Sequence, residues 1–412
     1  MADAECRLRT TRAGCVACGR EHRLSARSGH CACERRENLS VRYPLDPAIR
    51  SELLRTVGEN EPSLWRYAPV LPVDARFGSR LKVGWTPLLD CGDIGGTRLF
   101  IKDETRNPSG SLKDRASEVV VAVAVAHGIA DVIVASTGNA AASLACIAAS
   151  AGIRATILVP ESAPPAKLAQ IVAYGASVFR VAGRYDDACA LALKVSAERG
   201  LFNRSTGINP FTREGKKTCA LEIAEQLGWQ APDWVLVPTG DGNILSAVWQ
   251  GFQELAALGL LPSPPRLVAV QSAASSVIAQ AYAPQAARQS AGVRPDRTIA
   301  DSITVDEPRD RTAALAALSA SGGLAVEVDD DAIVRAVHAL ASRFGVFVEP
   351  SSAAAFAAFE LLNRAGRFER GHRVVCMATG TGLKDPSPVL PPYGVDAPPL
   401  VYPDDWQSVA PA

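Results

Sequence analysis

Val132-Ile133-Val134-Ala135-Ser136-Thr137-Gly138-Asn139 is a short β-branched run ending in a Ser-Thr-Gly-Asn turn, and an Ala/Leu-rich segment of helical period follows at 140–150. Buried strand, glycine turn and helix in that order form the repeating unit of an α/β domain. The turn opens the helix, so its free amides and positive dipole end face any ligand above the strand. The arrangement recurs at Pro238-Thr239-Gly240-Asp241-Gly242-Asn243, between a strand predicted at 234–237 and a helix at 244–260. Further β-branched runs predict strands at 98–102, 155–159, 177–181, 266–271 and 373–378, with helices between them and a largely parallel sheet. The stretch Pro262 to Pro265, and the Pro-rich tail from Pro386 onward, mark loops.

Lys113 precedes both turns, in Asn107-Pro108-Ser109-Gly110-Ser111-Leu112-Lys113-Asp114-Arg115. An amine, an amide and a phosphate-sized loop in that order suggest a lysine that holds an aldehyde cofactor, pyridoxal phosphate. A lysine that forms a Schiff base must be fixed and must lose its proton at neutral pH, which requires a closed, partly apolar site. Taken alone, Leu-Lys-Asp reads as a solvated surface lysine and the Gly138-Asn139 turn as an ordinary helix cap. Their order gives them meaning. Asn139 suits the phenolate oxygen of the ring, while Ser136 and Thr137 offer hydroxyls and amides to a substrate carboxylate. At Gly240, Asp241, Gly242 and Asn243 backbone amides converge on a phosphate without side-chain obstruction, provided that the Asp241 carboxylate points away or caps the helix. Thr379, in Thr379-Gly380-Thr381-Gly382-Leu383-Lys384-Asp385, would bring a hydroxyl to the ring nitrogen. The ring then stays largely unprotonated, a weaker electron sink that favours prompt expulsion of a β- or γ-leaving group.

The 412 residues suffice for two or three compact domains, and 43 basic against 43 acidic side chains leave no net field to draw in nucleic acid or anionic membrane. A small-molecule protein follows. Residues 1–5 have neither the basic start nor the apolar core of a signal peptide, which predicts a cytoplasmic protein. The apolar run 119–135 is interrupted by His127, Gly128 and Asp131, so it reads as a buried helix followed by a buried strand rather than a membrane span. Lys102 and Arg115 are candidates for phosphate binding or for a salt bridge on the domain surface.

There are ten cysteines, and the pairs among them are local rather than spread as in a secreted scaffold, as expected of thiols or metal ligands in a reducing compartment. Cys15 and Cys18 form one pair and Cys31 and Cys33 a second, in a polar, Arg-rich head that ends near Tyr43-Pro44. Brought together by a hairpin, the four thiols could bind zinc tetrahedrally, with His22 and His30 as substitutes. The Cys-x-Cys spacing is one residue tighter than the usual knuckle, so ordinary packed thiols are the alternative. Cys91, Cys146, Cys219 and Cys376 lie in apolar contexts and read as small core residues.

These motifs, together with Trp65-Arg66-Tyr67, Gly84-Trp85-Thr86-Pro87-Leu88, Glu214-Gly215-Lys216-Lys217-Thr218 and Glu349-Pro350-Ser351-Ser352, resemble the fold type II pyridoxal-phosphate enzymes, most closely the threonine synthases. The resemblance implies an α/β fold of two three-layer αβα domains with mostly parallel sheets, plus a small Cys-rich, zinc-ribbon-like module. It implies that module at 1–45, a large cofactor-binding domain at 46–118 and 228–412, and a small mobile domain at 119–227 that closes on the substrate. It also implies Lys113 as the Schiff-base lysine, Asn139 at the ring hydroxyl, residues 240–243 at the cofactor phosphate and Thr379 at the ring nitrogen. The expected reaction converts O-phospho-L-homoserine and water to L-threonine and phosphate, in a homodimer. One departure bears on the substrate: Thr212 stands where the family carries an arginine, and Arg213 follows one place later, about 100° around a helix. Lys216 is the candidate to compensate. The alternative keeps the cofactor and changes the reaction to β-replacement or β-elimination on O-phosphoserine, threonine, serine or 2,3-diaminopropionate. A third reading is a catalytically silent regulator whose head binds a partner.

Overall fold

The computed structural model describes residues 8–34, 37–163, 165–282 and 297–386. The sequence readings at 1–5 and in the tail beyond Pro386 lie outside them. In the head, β1 (Arg12–Cys15), β2 (Glu21–Arg23) and β3 (Leu39–Arg42) form an antiparallel sheet in the order β2-β1-β3. Helix α1 (Pro47–Gly58) starts on Asp46, whose carboxylate accepts from the amides of Ala48 and Ile49 at 3.0 Å, with proline at the first helical position.

The rest of the described chain alternates as the periodicity requires. In order come β4 (Leu88–Ile94), β5 (Thr97–Asp103), α2 (Lys113–Ala126), β6 (Asp131–Ala135), α3 (Asn139–Ala151), β7 (Arg154–Pro160), α4 (Pro165–Ala173) and β8 (Ser177–Val181). Then follow α5 (Tyr185–Arg199), β9 (Phe202–Asn203), α6 (Phe211–Gln226), β10 (Trp234–Pro238), α7 (Asn243–Ala257), β11 (Arg266–Ser272) and α8 (Val277–Tyr282). The last are α9 (Arg311–Ser321), β12 (Leu324–Val328), α10 (Asp330–Phe344), α11 (Pro350–Arg364) and β13 (Arg373–Ala378). A six-stranded sheet runs β12-β11-β10-β13-β5-β4, parallel except for the β4–β5 hairpin, and a four-stranded parallel sheet runs β8-β7-β6-β9. All seven predicted strands are present, and the α/β class with mostly parallel sheets is the one expected. Val235, Leu236, Val237, Val374 and Val375 are fully buried, as strands covered on both faces must be.

Helix α2 is buried along nearly its whole length and leads into β6, so the run 119–135 is a core helix and strand. Among the described residues no helix is long and apolar enough to cross a membrane. Helices α2 and α6 meet at Gly215, where an added Cβ would lie 1.8 Å from the Arg115 carbonyl oxygen. Beside this contact lies a buried ion cluster that corrects the reading of Lys102 and Arg115. Arg115 donates to Glu104 Oε2 and Glu222 Oε1, each at 2.6 Å, and Lys102 donates to Glu222 Oε2 at 2.8 Å, all with fully buried side chains. Neither cation sits at a phosphate turn or on a surface; both stitch α2, α6 and β5 together. The head does not hang free either. Cys15, Leu39 and Val41 share one apolar cluster with Val119, Val123 and Leu144.

Candidate active site

The C-terminal ends of β6, β10 and β13 open onto one cleft of about 990 Å³, lined from both large sheets. Parallel sheets collect loops at this end, and strand-to-helix turns aim their amides into it. Lys113, Ser136, Thr137, Asn139, Lys216, Gly240, Asp241, Gly242, Asn243 and Thr379 all line the cleft. Residues spread over 266 positions of the chain are thereby brought together.

Lys113 begins α2. The loop before it is fixed by Asp114, which accepts from the Ser109 amide at 2.6 Å and hydroxyl at 2.5 Å, and by the Leu112 amide donating to the Thr379 carbonyl at 2.9 Å. The Lys113 and Thr379 segments are therefore locked to each other through their backbones. Burial first, then the Arg204 guanidinium, pull the Lys113 ammonium down to about 8, while Asp241 and Glu349 oppose the shift. Lys216 is fully buried and donates to Asn243 Oδ1 at 2.6 Å; burial, then the charges of Lys113 and Arg204, hold it well below the ordinary lysine value.

Asn139 opens α3, and its Nδ2 donates to both carboxylate oxygens of Glu349 at 3.0 Å. Its Oδ1, also buried, has no hydrogen-bond partner. Burial raises the Glu349 carboxyl above the usual range. Gly380 lies beneath the pair, where any Cβ would come within 2.8 Å of Glu349 Oε1. The Thr379 hydroxyl lies 2.9 Å from that of Ser352, which also accepts from the Gly380 amide at 2.8 Å. The Ser136 hydroxyl accepts from the Gly138 amide at 3.2 Å.

At the second turn Gly242 has φ +86°, a left-handed conformation that glycine adopts without strain. A Cβ on Gly240 would come within 2.9 Å of Ile303 Cα, so the turn lies flat against the loop that precedes α9. No side chain caps α7, whose first amides remain free for an anion. One oxygen of Asp241 is engaged: it accepts from the Arg309 amide at 2.6 Å and ties the turn to that loop.

Pyridoxal phosphate fits what these residues offer. The flat glycine turn with uncapped amides suits its phosphate, and the depressed Lys113 amine suits its aldehyde. The orphaned Asn139 amide oxygen marks a polar position awaiting a partner. A phenolate oxygen needs a donor there, and a half-turn of the amide about χ2 would supply Nδ2, with a protonated Glu349 donating to Oδ1 in exchange.

Sequence reasoning missed three groups. Arg204 follows the two-residue strand β9 and reaches the Lys113 carbonyl at 3.3 Å and the Thr206 hydroxyl at 3.3 Å. Ser352 supports Thr379. Asp310, buried and held below the usual carboxylate range against its desolvation chiefly by Arg213, accepts from Arg213 Nη2 at 2.5 Å, Asn243 Nδ2 at 3.1 Å and Ser246 Oγ at 2.5 Å. Arg213 is thus turned to Asp310 and is not among the residues that line the cleft. Of the three, only Ser352 lies in a motif marked by the sequence, Glu349-Pro350-Ser351-Ser352, and its role there was not read; Arg204 and Asp310 act on partners distant in the chain.

In the head, Cys15 and Cys33 lie 3.9 Å apart at sulfur and Cys18 and Cys31 3.8 Å, with all four sulfurs within 4.8 Å of one another. A tetrahedral ion with metal–sulfur bonds of ~2.3 Å needs edges of about 3.8 Å. The quartet could hold a metal ion despite the tight Cys-x-Cys spacing. His22 Nε2 lies 3.2 Å from Cys31 Sγ, whereas His30 is turned away to the Gly207 carbonyl at 2.8 Å.

A family model described as "Pyridoxal-phosphate dependent enzyme" matches residues 80–380. The chain is 37% identical over 383 residues to the threonine synthase of Methanocaldococcus jannaschii, covering 91% of this chain and 93% of that protein. It is 38% identical over 334 residues to the threonine synthase of Methanosarcina acetivorans, covering 80% and 82%. Among solved structures, the processed form of threonine deaminase isoform 2 from Solanum lycopersicum matches with a TM-score of 0.62 at 22% identity, covering 80% of this chain and 85% of that one. The last likeness speaks for the fold.

Proposed function

The chain belongs to the pyridoxal-phosphate dependent enzyme family, and on that premise we propose that it converts O-phospho-L-homoserine and water to L-threonine and phosphate. The observation that carries the reading is a local trio of cations, Lys113, Arg204 and Lys216, in a cleft whose lining also includes carboxylates such as Asp241 and Glu349. Lys216 is buried beside Lys113 and Arg204, whose charges oppose its own, so an anionic substrate relieves a cost already built into the fold. A cofactor phosphate on the 240–243 turn and a second phosphate on the substrate both answer that need. Near-full-length likeness to threonine synthases supports the choice of product.

When bound, pyridoxal phosphate supplies an electron sink conjugated to the substrate nitrogen. The residues do the rest. Lys113, brought to about 8 by burial and then by Arg204, would hold the cofactor aldehyde and carry protons at the substrate: off Cα and Cβ, onto Cγ to make the methyl group, and back to Cα. Lys216 and Arg204 hold the phosphate that leaves from Cγ, and water adds at Cβ. Ser136 and Thr137 orient the carboxylate from the first turn. Thr379, supported by Ser352, would offer a neutral hydroxyl to the ring nitrogen of the cofactor, an environment that favours expulsion of the leaving group. The released phosphate serves as an additional proton carrier. The same reading assigns zinc to the cysteine quartet and a homodimer to the assembly.

One observation favours a second reading. Arg213 is committed to Asp310, so the family's phosphate grip is altered and a shorter substrate would not miss it. That reading is β-elimination or β-replacement on O-phosphoserine, threonine, serine or 2,3-diaminopropionate. A substrate panel separates the two. Phosphate and threonine released together from O-phosphohomoserine are expected; ketoacid and ammonia from threonine or serine at enzyme-like rates, without phosphate release, would overturn the first reading.

A further inference from the structure

One side chain carries the head to the underside of the phosphate turn. Buried Asn38 donates from Nδ2 to Asp310 Oδ1 at 3.0 Å and to the Arg309 carbonyl at 3.2 Å. Asp310 also takes Nδ2 of Asn243, the last residue of that turn, and its own backbone amide donates to the Asp241 carbonyl at 3.1 Å. A Cβ on Gly242 would lie 3.0 Å from the Asp310 carbonyl oxygen. Asn38 therefore belongs to the head by sequence and to the turn by contact.

The cysteine pairs fix where Asn38 stands. Val16, between Cys15 and Cys18, donates its amide to the Asn38 carbonyl at 3.2 Å. Cys31 donates its amide to the Glu37 carbonyl at 2.9 Å, and Cys15 stands opposite Leu39 in the β1–β3 ladder. Glu37 in turn accepts from the Thr312 hydroxyl at 2.6 Å, at the start of α9. Three strands of four, three and four residues are too short to hold these positions unaided. A metal that joins both thiol pairs would supply the missing constraint.

We propose that the metal-closed head is a positioning brace for the cofactor phosphate, acting through Asn38 and Asp310. The proposal rests on the assignment of a metal to the four thiols. With the metal gone, the pairs separate, Asn38 leaves Asp310, and a buried carboxylate loses one of the donors that fix its direction. Asn243 and the amides beside it then lose their common support. The aldehyde end is untouched, because Lys113 is held by Asp114 and Thr379 from the other side of the cleft.

The test uses the full chain, freed of cofactor, titrated separately with pyridoxal phosphate and with pyridoxal, which lacks the phosphate. Three forms are compared: metal-loaded, stripped with a chelator under reducing conditions, and metal-loaded Asn38→Ala. Stripping and Asn38→Ala are each expected to weaken pyridoxal phosphate about five- to tenfold, the net worth of one ordinary hydrogen bond because the effect on the phosphate is indirect, and to leave pyridoxal unchanged. Added zinc should restore the stripped protein and not the variant. Equal affinity for pyridoxal phosphate in all three forms overturns the brace, and so does a parallel loss for both ligands, which marks general unfolding. Metal analysis of the reduced protein is read separately: absence of metal defeats the thiol assignment, while Asn38→Ala still decides the contact.

Discussion

Lys113 is the residue on which the chemistry turns, and its environment makes a quantitative prediction. A lysine of ordinary value gains neutral fraction steadily to beyond about pH 10, whereas burial and Arg204 bring Lys113 to about 8. The rate at which the cofactor-free protein captures pyridoxal phosphate should therefore rise about tenfold per pH unit well below that value and level off above it. Stopped-flow absorbance measures this directly; a rate still climbing steeply above about pH 9 would place the amine in water. Lys113→Ala should abolish capture and turnover together. At this scale the sequence was readable where neighbours act on one another. Ser136 to Asn139 and Gly240 to Asn243 declared themselves by a strand before and a helix after. Asp310 and Arg204 did not, because their key partners Asn243 and Lys113 are 67 and 91 positions away.

At the scale of elements, the contact of α2 with α6 decides whether the Lys113 loop has a floor. Gly215→Ala forces a methyl toward the Arg115 carbonyl and should cost about 3 kcal/mol or more in urea unfolding, the upper end for overpacking against a rigid backbone. Arg115→Met leaves Glu104 and Glu222 facing each other in the core and should destabilise by about 3–5 kcal/mol; a midpoint shift below a third of that would mean water enters the cluster. Restoring neutrality with a second change, Glu222→Gln, should recover part of the loss. Strand legibility also belongs here. The buried parallel strands were visible as unbroken apolar runs, but β4 was not. Asp90, Gly92 and Asp93 interrupt its pattern, and its register with β5 shifts between Asp90 and Asp93. Strand β12 was missed as well, since most of its residues are half-exposed at the opposite edge.

For the whole molecule, the cations Lys113, Arg204 and Lys216 in the cleft make an anionic ligand a source of stability. Pyridoxal phosphate at ~100 times its Kd should stabilise the folded chain by about 2.7 kcal/mol, read as a rise in Tm of the cofactor-free protein. Pyridoxal at the same absolute concentration should do much less. The order of strands has a different consequence. Strand β13 lies between β10 and β5, pairing Arg373 with Arg98 and Val374 with Trp234. A ribosome therefore delivers both flanking strands long before the one that joins them. Until residues 373–378 emerge, two central edges stay open and the partner of the lysine loop does not yet exist. Synthesis, not only sequence, sets when this protein first becomes capable of chemistry, and the open edges make the interval prone to aggregation.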